Sequence, residues 1–284
     1  MAIFSNQATL TYNGNTTNSN IAYGEILDVV AAAKTAIEGS YTPGELVTYV
    51  VTLRNTGTTA LTGLTVTDDL GGYAFDGNTV YPLTYEDGSA ALFVNGVSQP
   101  APAVTAGPPL VVSGLTIPAG GDLVLVYQAR ANQFANPAAG GTIVNTVTIT
   151  GDGISTPITA TETVTAASAP ELTITKSISP SQLVDNDRVT YTFVIQNTGN
   201  EPVVATDNAA ITDTFDPILT ALAVTFNGTV WAEGTQYTYD ESNGLFTTLP
   251  GAITVPAATY TQDPVTGAYT LTPGIATLIV TGTI

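Results

Sequence analysis

The segment Val47-Thr-Tyr-Val-Val-Thr-Leu-Arg-Asn-Thr-Gly57 returns 142 residues later as Val189-Thr-Tyr-Thr-Phe-Val-Ile-Gln-Asn-Thr-Gly199, half the length of the 284-residue chain away. A repeat at that distance means two copies of one domain, and the chain is long enough for each copy to bury a core of its own. Both segments alternate apolar and polar residues, the period of a strand with one buried face. The closing Asn-Thr-Gly of each is expected to supply the positive-φ residues of a turn between strands. Upstream, Pro43-Gly-Glu45 matches Asp185-Asn-Asp187 as a turn, and Lys34 matches Lys176 at the same offset. Downstream, Leu64-Thr-Val-Thr-Asp68 matches Ala209-Ala-Ile-Thr-Asp213.

These residues resemble the conserved repeat domain of bacterial surface proteins called domain of unknown function 11, whose pattern runs strand-Lys, turn, Val-Thr-Tyr, Asn-Thr-Gly, Val-Thr-Asp. The resemblance covers nearly the whole chain. It implies an all-β fold of two tandem Ig-like β-sandwich domains, in a module that mostly serves as a stalk or spacer. The size and the paired repeats are also similar to those of bacterial endospore-appendage subunits. Composition agrees with the fold, since charged residues are only 10% of the chain and no run reads as a long amphipathic helix.

Members of this repeat family close with a hairpin whose first strand carries an Asn. Domain 1 has that hairpin at 142–153, with Asn145 on the first strand and a return from Thr156 to Val164. In domain 2, Ala276–Val280 corresponds to Asp122–Val126, and the sequence reaches Ile284 before such a hairpin. The expectation is therefore a second sandwich without its closing strands. A matching hairpin stands at the other end: Phe4–Gly14 follows the pattern of Ile143–Gly153, with Asn6 in the place of Asn145. Ile21, Glu25 and Leu27 fall on Ile158, Glu162 and Val164 in the return strand. The expected layout is a donor hairpin at 1–29, a complete sandwich at 30–168 and an incomplete acceptor sandwich at 169–284.

An open sandwich leaves an apolar groove and an unpaired strand edge that another strand can complete. The donor strand is expected to place Phe4, Asn6, Ala8 and Leu10 in such a groove. About four residues, roughly 14 Å when extended, tether the hairpin to the Lys34 strand, which disfavours folding back within one chain. Donation to the next chain gives a head-to-tail homopolymer, open unless the rotation closes a ring.

Lys34 and Lys176 are the only lysines. Strand parity puts Val30, Ala32 and Lys34 inward, likewise Leu172, Ile174 and Lys176, and aims both amines at apolar cores. The same parity turns Leu64, Val66 and Asp68 inward, with Ile211 and Asp213, and with Ile143, Asn145 and Val147. A buried lysine loses its charge more readily and becomes a nucleophile. Lysine on the first strand, acid on a neighbour and asparagine on a late strand resemble the isopeptide-bonded adhesin and pilin domains. The resemblance implies Lys34 joined to Asn145 with Asp68 assisting, and Lys176 joined to Asn6 of the next subunit with Asp213 assisting. The plainer reading is a buried ion pair with the Asn hydrogen-bonded beside it. Asp28 is the rival acid, and Asp69 is expected to face solvent.

The remaining signals exclude more than they assign. With no Cys and no His, disulfides, imidazole or thiolate metal sites and His-assisted nucleophiles are absent, and no paired carboxylates mark a glycosidase-like cleft. The expectation is no enzyme and no cofactor. A net charge of −18 repels nucleic acid and anionic lipid. The Asp-rich run 67–77 lacks a calcium-loop motif and reads as an acidic turn, Trp231 and the tyrosines read as core, and the sequons at Asn15 and Asn227 carry little weight. No apolar stretch spans a membrane and no signal peptide is visible, so extracellular placement on a cell or spore surface implies a removed leader or unconventional export. The expected function is a self-assembling fibre subunit; the alternative is a stalk fragment of a large surface adhesin.

Overall fold

The computed structural model describes residues 2–26 and 29–284, so the matches drawn for Leu27 and the rival acid Asp28 lie outside the described residues. Among the described residues the protein is all-β apart from one 3-10 turn at Ala205–Asp207. Two compact units emerge, one of Met1–Asn136 with Thr142–Thr165 and one of Pro137–Gly141 with Ala166–Ile284.

The N-terminal segment forms β1 (Ala2–Asn6), β2 (Thr9–Tyr12), β3 (Asn15–Asn18) and β4 (Ala22–Ile26), in which β1 pairs with β4 and β2 with β3. The first unit continues with β5 (Val30–Ala36), β6 (Ser40–Tyr41), β7 (Leu46–Asn55), β8 (Leu61–Asp68), β9 (Tyr73–Phe75), β10 (Asn78–Val80), β11 (Leu83–Tyr85), β12 (Ala91–Val94) and β13 (Val97–Ser98). It ends with β14 (Ala103–Thr105), β15 (Leu110–Ile117), β16 (Asp122–Ala131), β17 (Thr142–Thr150) and β18 (Ile158–Ala166). One sheet runs β13-β12-β16-β7-β5 and the facing one β14-β15-β8-β17-β18-β6. Period-2 alternation makes this an Ig-like sandwich: Val47, Tyr49, Val51 and Leu53 of β7 and Leu64 and Val66 of β8 are buried.

The second unit contains β19 (Leu172–Ser179), β20 (Arg188–Asn197), β21 (Thr212–Thr214), β22 (Thr220–Phe226), β23 (Thr229–Trp231), β24 (Tyr237–Asp240), β25 (Leu245–Thr248), β26 (Thr259–Gln262), β27 (Tyr269–Thr272) and β28 (Gly274–Thr283). Its first sheet, β19-β20-β28-β22-β23, repeats the order of the first unit. Its second sheet has only the three strands β21-β25-β24. Trp231 packs on Phe226 in this core at 4.8 Å between ring centroids.

Three sequence-based expectations need correction. Gly57 and Gly199 do not take positive φ. Asn-Thr-Gly instead works through its asparagine: fully buried Asn197 donates from Nδ2 to Glu201 O and Pro256 O and accepts at Oδ1 from the Gly199 and Glu171 amides. Asn55 makes the matching bonds to Thr59 O, Pro118 O and the Gly57 amide. Glycine follows because a Cβ at 199 would meet Ala169 O at 2.2 Å. The upstream turns do use positive φ, at Gly44 and Asn186.

The second correction concerns β28. Leu123 faces Leu53, and Ala276 faces Ile195, the repeat counterpart of Leu53, so Ala276 matches Leu123 rather than Asp122. A one-residue slip exchanges the two faces of a strand, and the ladder fixes which set enters the core.

The third concerns the N-terminal hairpin. Copying the closing hairpin would set Asn6 opposite Glu25, as Asn145 faces Glu162, but Asn6 faces Ala22. The cause is turn length. Asn13 and Gly14, both at positive φ, form a two-residue turn closing Tyr12 on Asn15, whereas the counterpart turn leaves Ile149 opposite Ile158.

Candidate functional site

In the first unit Lys34 comes from the edge strand β5 of one sheet and Asp68 from β8 of the other. Their side chains are 0% and 1% exposed and join Nζ to Oδ2 at 2.7 Å. The Lys34 amine lies 4.7 Å from the centroid of the Tyr49 ring. The Tyr127 hydroxyl, from β16, donates to the same Asp68 Oδ2, and the Leu70 amide donates to Oδ1 at 2.7 Å. Burial pushes the Lys34 amine below its ordinary value, while Asp68 first, then Asp69 and Glu162, pull it back up. Burial also raises the tyrosine hydroxyls, and at Tyr127 the charge of Asp68 adds to it.

Asn145 completes the group. It sits on β17 two residues before Val147, which faces Asp68 across the ladder, and is fully buried. Its amide lowers the pKa of both tyrosine hydroxyls, yet neither Nδ2 nor Oδ1 completes a hydrogen bond of normal geometry. Two orphan polar atoms in a sealed core cost about 1–3 kcal/mol each. The carboxamide thus lies beside the tyrosine hydroxyls, one of which, that of Tyr127, also reaches Asp68.

Asp69 departs from expectation. It is half-buried, and its Oδ1 accepts from the Gly71 and Thr146 amides at 2.9 Å each, which ties β8 to β17 beside Asn145. With Asp68 also engaged internally, the acidic run has its first two carboxylates committed to structure. Among the described residues no group of three His, Cys, Asp or Glu side chains could hold a metal ion, and no helix is long and apolar enough to cross a membrane.

The second unit reproduces half of this site. Lys176 and Asp213 form an ion pair, with the amine over the rings of Tyr191, Phe193 and Phe215 at 4.6, 5.4 and 5.3 Å. The Lys176 side chain is 39% exposed, against 0% for Lys34. Parity correctly groups Leu172 and Ile174 with it, but they are exposed rather than inside a core, as is Ile178. The reason lies in the facing sheet. In the first unit β8 stands between β15 and β17, whereas β21, which carries Asp213, pairs with β25 alone and has nothing on its other edge among the described residues.

Asn6, expected to serve this second site, lies on β1 of the N-terminal hairpin, where every side chain described from Phe4 to Tyr23 is exposed. Phe4, Asn6, Ala8 and Leu10 are not one strand: Gln7 and Ala8 interrupt the ladder between β1 and β2. Phe4 is 55% and Leu10 62% exposed. Asn6 is therefore exposed on the hairpin, whereas Asn145 is buried on β17, two residues from the Val147 that faces Asp68. The sequence analysis missed Tyr49 and Tyr127, although both share the inward parity of their strands.

No family profile and no curated protein matches the chain. Among solved structures it is similar to the pilus backbone RrgB from Streptococcus pneumoniae, at 12% identity over 86% of this chain and 55% of that one, TM-score 0.35. It is similar also to the C-terminal fragment of the major pilin GBS80 of Streptococcus agalactiae, at 11% identity over 87% and 91%, TM-score 0.36. The collagen-binding domain of a Staphylococcus aureus adhesin covers 46% of this chain and 95% of its own length, at 13% identity and TM-score 0.30. At these identities and scores no function follows from the likeness.

Proposed function

We propose that this chain is a structural subunit of an extracellular bacterial fibre, on a cell or spore surface, in which the N-terminal hairpin of one copy completes the second unit of the next. The observation that carries this reading is the unpaired edge of β21, at the position where β8 holds β17. Applying the β17–β8 register to a docked donor sets Ala8 opposite Asp213 and Asn6 two residues along, in the place of Asn145. Exposed Phe4 and Leu10 on the donor and Leu172, Ile174 and Ile178 on the acceptor supply the apolar surface. Each such side chain, once buried, contributes roughly 1.5–3 kcal/mol before the entropy of docking is subtracted.

The same reading makes the lysines covalent staples. Lys34 Nζ passes a proton to Asp68 Oδ2, and its freed lone pair attacks Asn145 Cγ. The Nζ–Cγ bond forms, Cγ–Nδ2 breaks, and a second proton from Nζ leaves with Nδ2 as ammonia. Asp68 ends as a neutral acid. The bond joins the two sheets of the first unit; Lys176, Asp213 and a neighbour's Asn6 perform the equivalent step between subunits.

Mass and gel test this. The intact chain should be lighter than its sequence by one ammonia (~17 Da) for the Lys34–Asn145 bond. Concentrated protein boiled in detergent should run as a ladder, Asn6→Ala should remove the ladder, and deletion of residues 1–14 should abolish polymer. A solitary monomer at high concentration, unchanged by that deletion, refutes the fibre.

A further inference from the structure

The two lysine sites differ in one exchange. Tyr127 faces Tyr49 across the ladder, and Val280 faces Tyr191, the repeat counterpart of Tyr49. Val280 therefore occupies the place of Tyr127. Two residues beyond each aspartate the change is reversed, with Leu70 in the first unit and Phe215 in the second. All four side chains are buried. Tyr49 stacks on Tyr127 at 5.7 Å between ring centroids, while Tyr191 meets Phe215 in a tilted contact at 4.8 Å. The exchanged position holds an aromatic ring in both units, Tyr127 in the first and Phe215 in the second, but Phe215 lacks the hydroxyl that Tyr127 rests on Asp68 Oδ2.

Lysine condensation changes what Asp68 needs. Before the step it is a carboxylate paired with an ammonium; afterwards it is a neutral acid whose counter-ion has become an amide. A tyrosine hydroxyl both donates and accepts. Tyr127 can donate to the Oδ2 carboxylate before the step and accept from Oδ2–H after it, with no movement of either side chain. Lys34 and Asp68 are almost wholly inaccessible, so the partner of Oδ2 in both states is a protein group held in the core.

Resting on the condensation proposed above, we infer that Tyr127 is a positioning residue for the Lys34–Asn145 bond, holding Asp68 Oδ2 in place through both of its protonation states. The second unit, with Val280 there, forms its bond without this aid.

The test follows full-length chains made by cell-free synthesis and quenched at intervals, with ammonia loss read by mass. Tyr127→Phe keeps the ring and removes the hydroxyl; bond formation in the first unit should slow at least tenfold while the far-UV circular dichroism of the folded chain is unchanged. The reciprocal transplant, Phe215→Leu with Val280→Tyr, should speed the growth of the detergent-resistant ladder, an effect that a purely structural tyrosine would not produce. Tyr127→Phe condensing at the wild-type rate overturns the inference, as does a folded transplant whose ladder grows no faster; if one variant fails to fold, the other decides. A wild-type chain that never loses ammonia removes the condensation itself and is thereby distinguished from failure of the tyrosine's role alone.

Discussion

Replacing Asn145 by Ala separates a covalent site from a packed one by the sign of its effect. Lys34 and Asn145 are 111 residues apart, so a bond between them closes a long loop in the unfolded chain. The loop-entropy relation gives about 5 kcal/mol of stabilisation for a closure of that length. Asn145→Ala removes it and should lower the melting temperature of the first unit by about 10–20 °C, at ~2–4 °C per kcal/mol for a unit of this size. Without the bond the same substitution deletes two buried amide atoms that complete no hydrogen bond of normal geometry. Relief of about 1–3 kcal/mol for each then outweighs the loss of a small side chain's contacts. The assay is differential scanning calorimetry of the full chain alongside intact mass. An Asn145→Ala chain that melts with or above the wild type refutes the covalent reading, whatever the distance between Lys34 and Asp68.

The same pair of proteins should differ in alkaline pH. Burial holds the Lys34 amine below its ordinary 10.5, so across that window the unfolded chain binds the proton more tightly and the folded Asn145→Ala protein gains stability as pH rises to 10.5. Crosslinked wild type has no such amine to titrate and holds Asp68 as a neutral acid, while Asp69, Glu162, Tyr49 and Tyr127 are present in both, so equal slopes in pH-dependent urea unfolding would contradict the bond. Asn197→Ala should destabilise the second unit by about 3–4 kcal/mol, from four lost hydrogen bonds at roughly 1 kcal/mol each, measured as a fall in its urea midpoint. Gly199→Ala should also lower that midpoint, because the Ala169 carbonyl must move; an unchanged midpoint would show that the close approach is not needed.

Two copies of one sandwich, the repeated strands β7 and β20 and the pairing of Lys34 with Asp68 and Lys176 with Asp213 were legible from the sequence. Repeat distance and period-2 parity are local signals, and they survive in a single chain read from end to end. Parity alone placed Asn145 inward, and Asn145 is indeed fully buried.

Other features needed the tertiary structure, because they depend on contacts between strands far apart in sequence. The Asn-Thr-Gly segment looks like a positive-φ turn until Pro118 O and Pro256 O are seen receiving its asparagine. A one-residue shift in matching β28 to β16 leaves the apolar composition plausible, and only the ladder between β20 and β28 decides it. Lys176 has the same inward parity as Lys34, yet burial differs because a strand's face is buried only when another sheet covers it. Tyr127 reaches Asp68 from the opposite sheet, 59 residues away, and no local pattern announces that meeting.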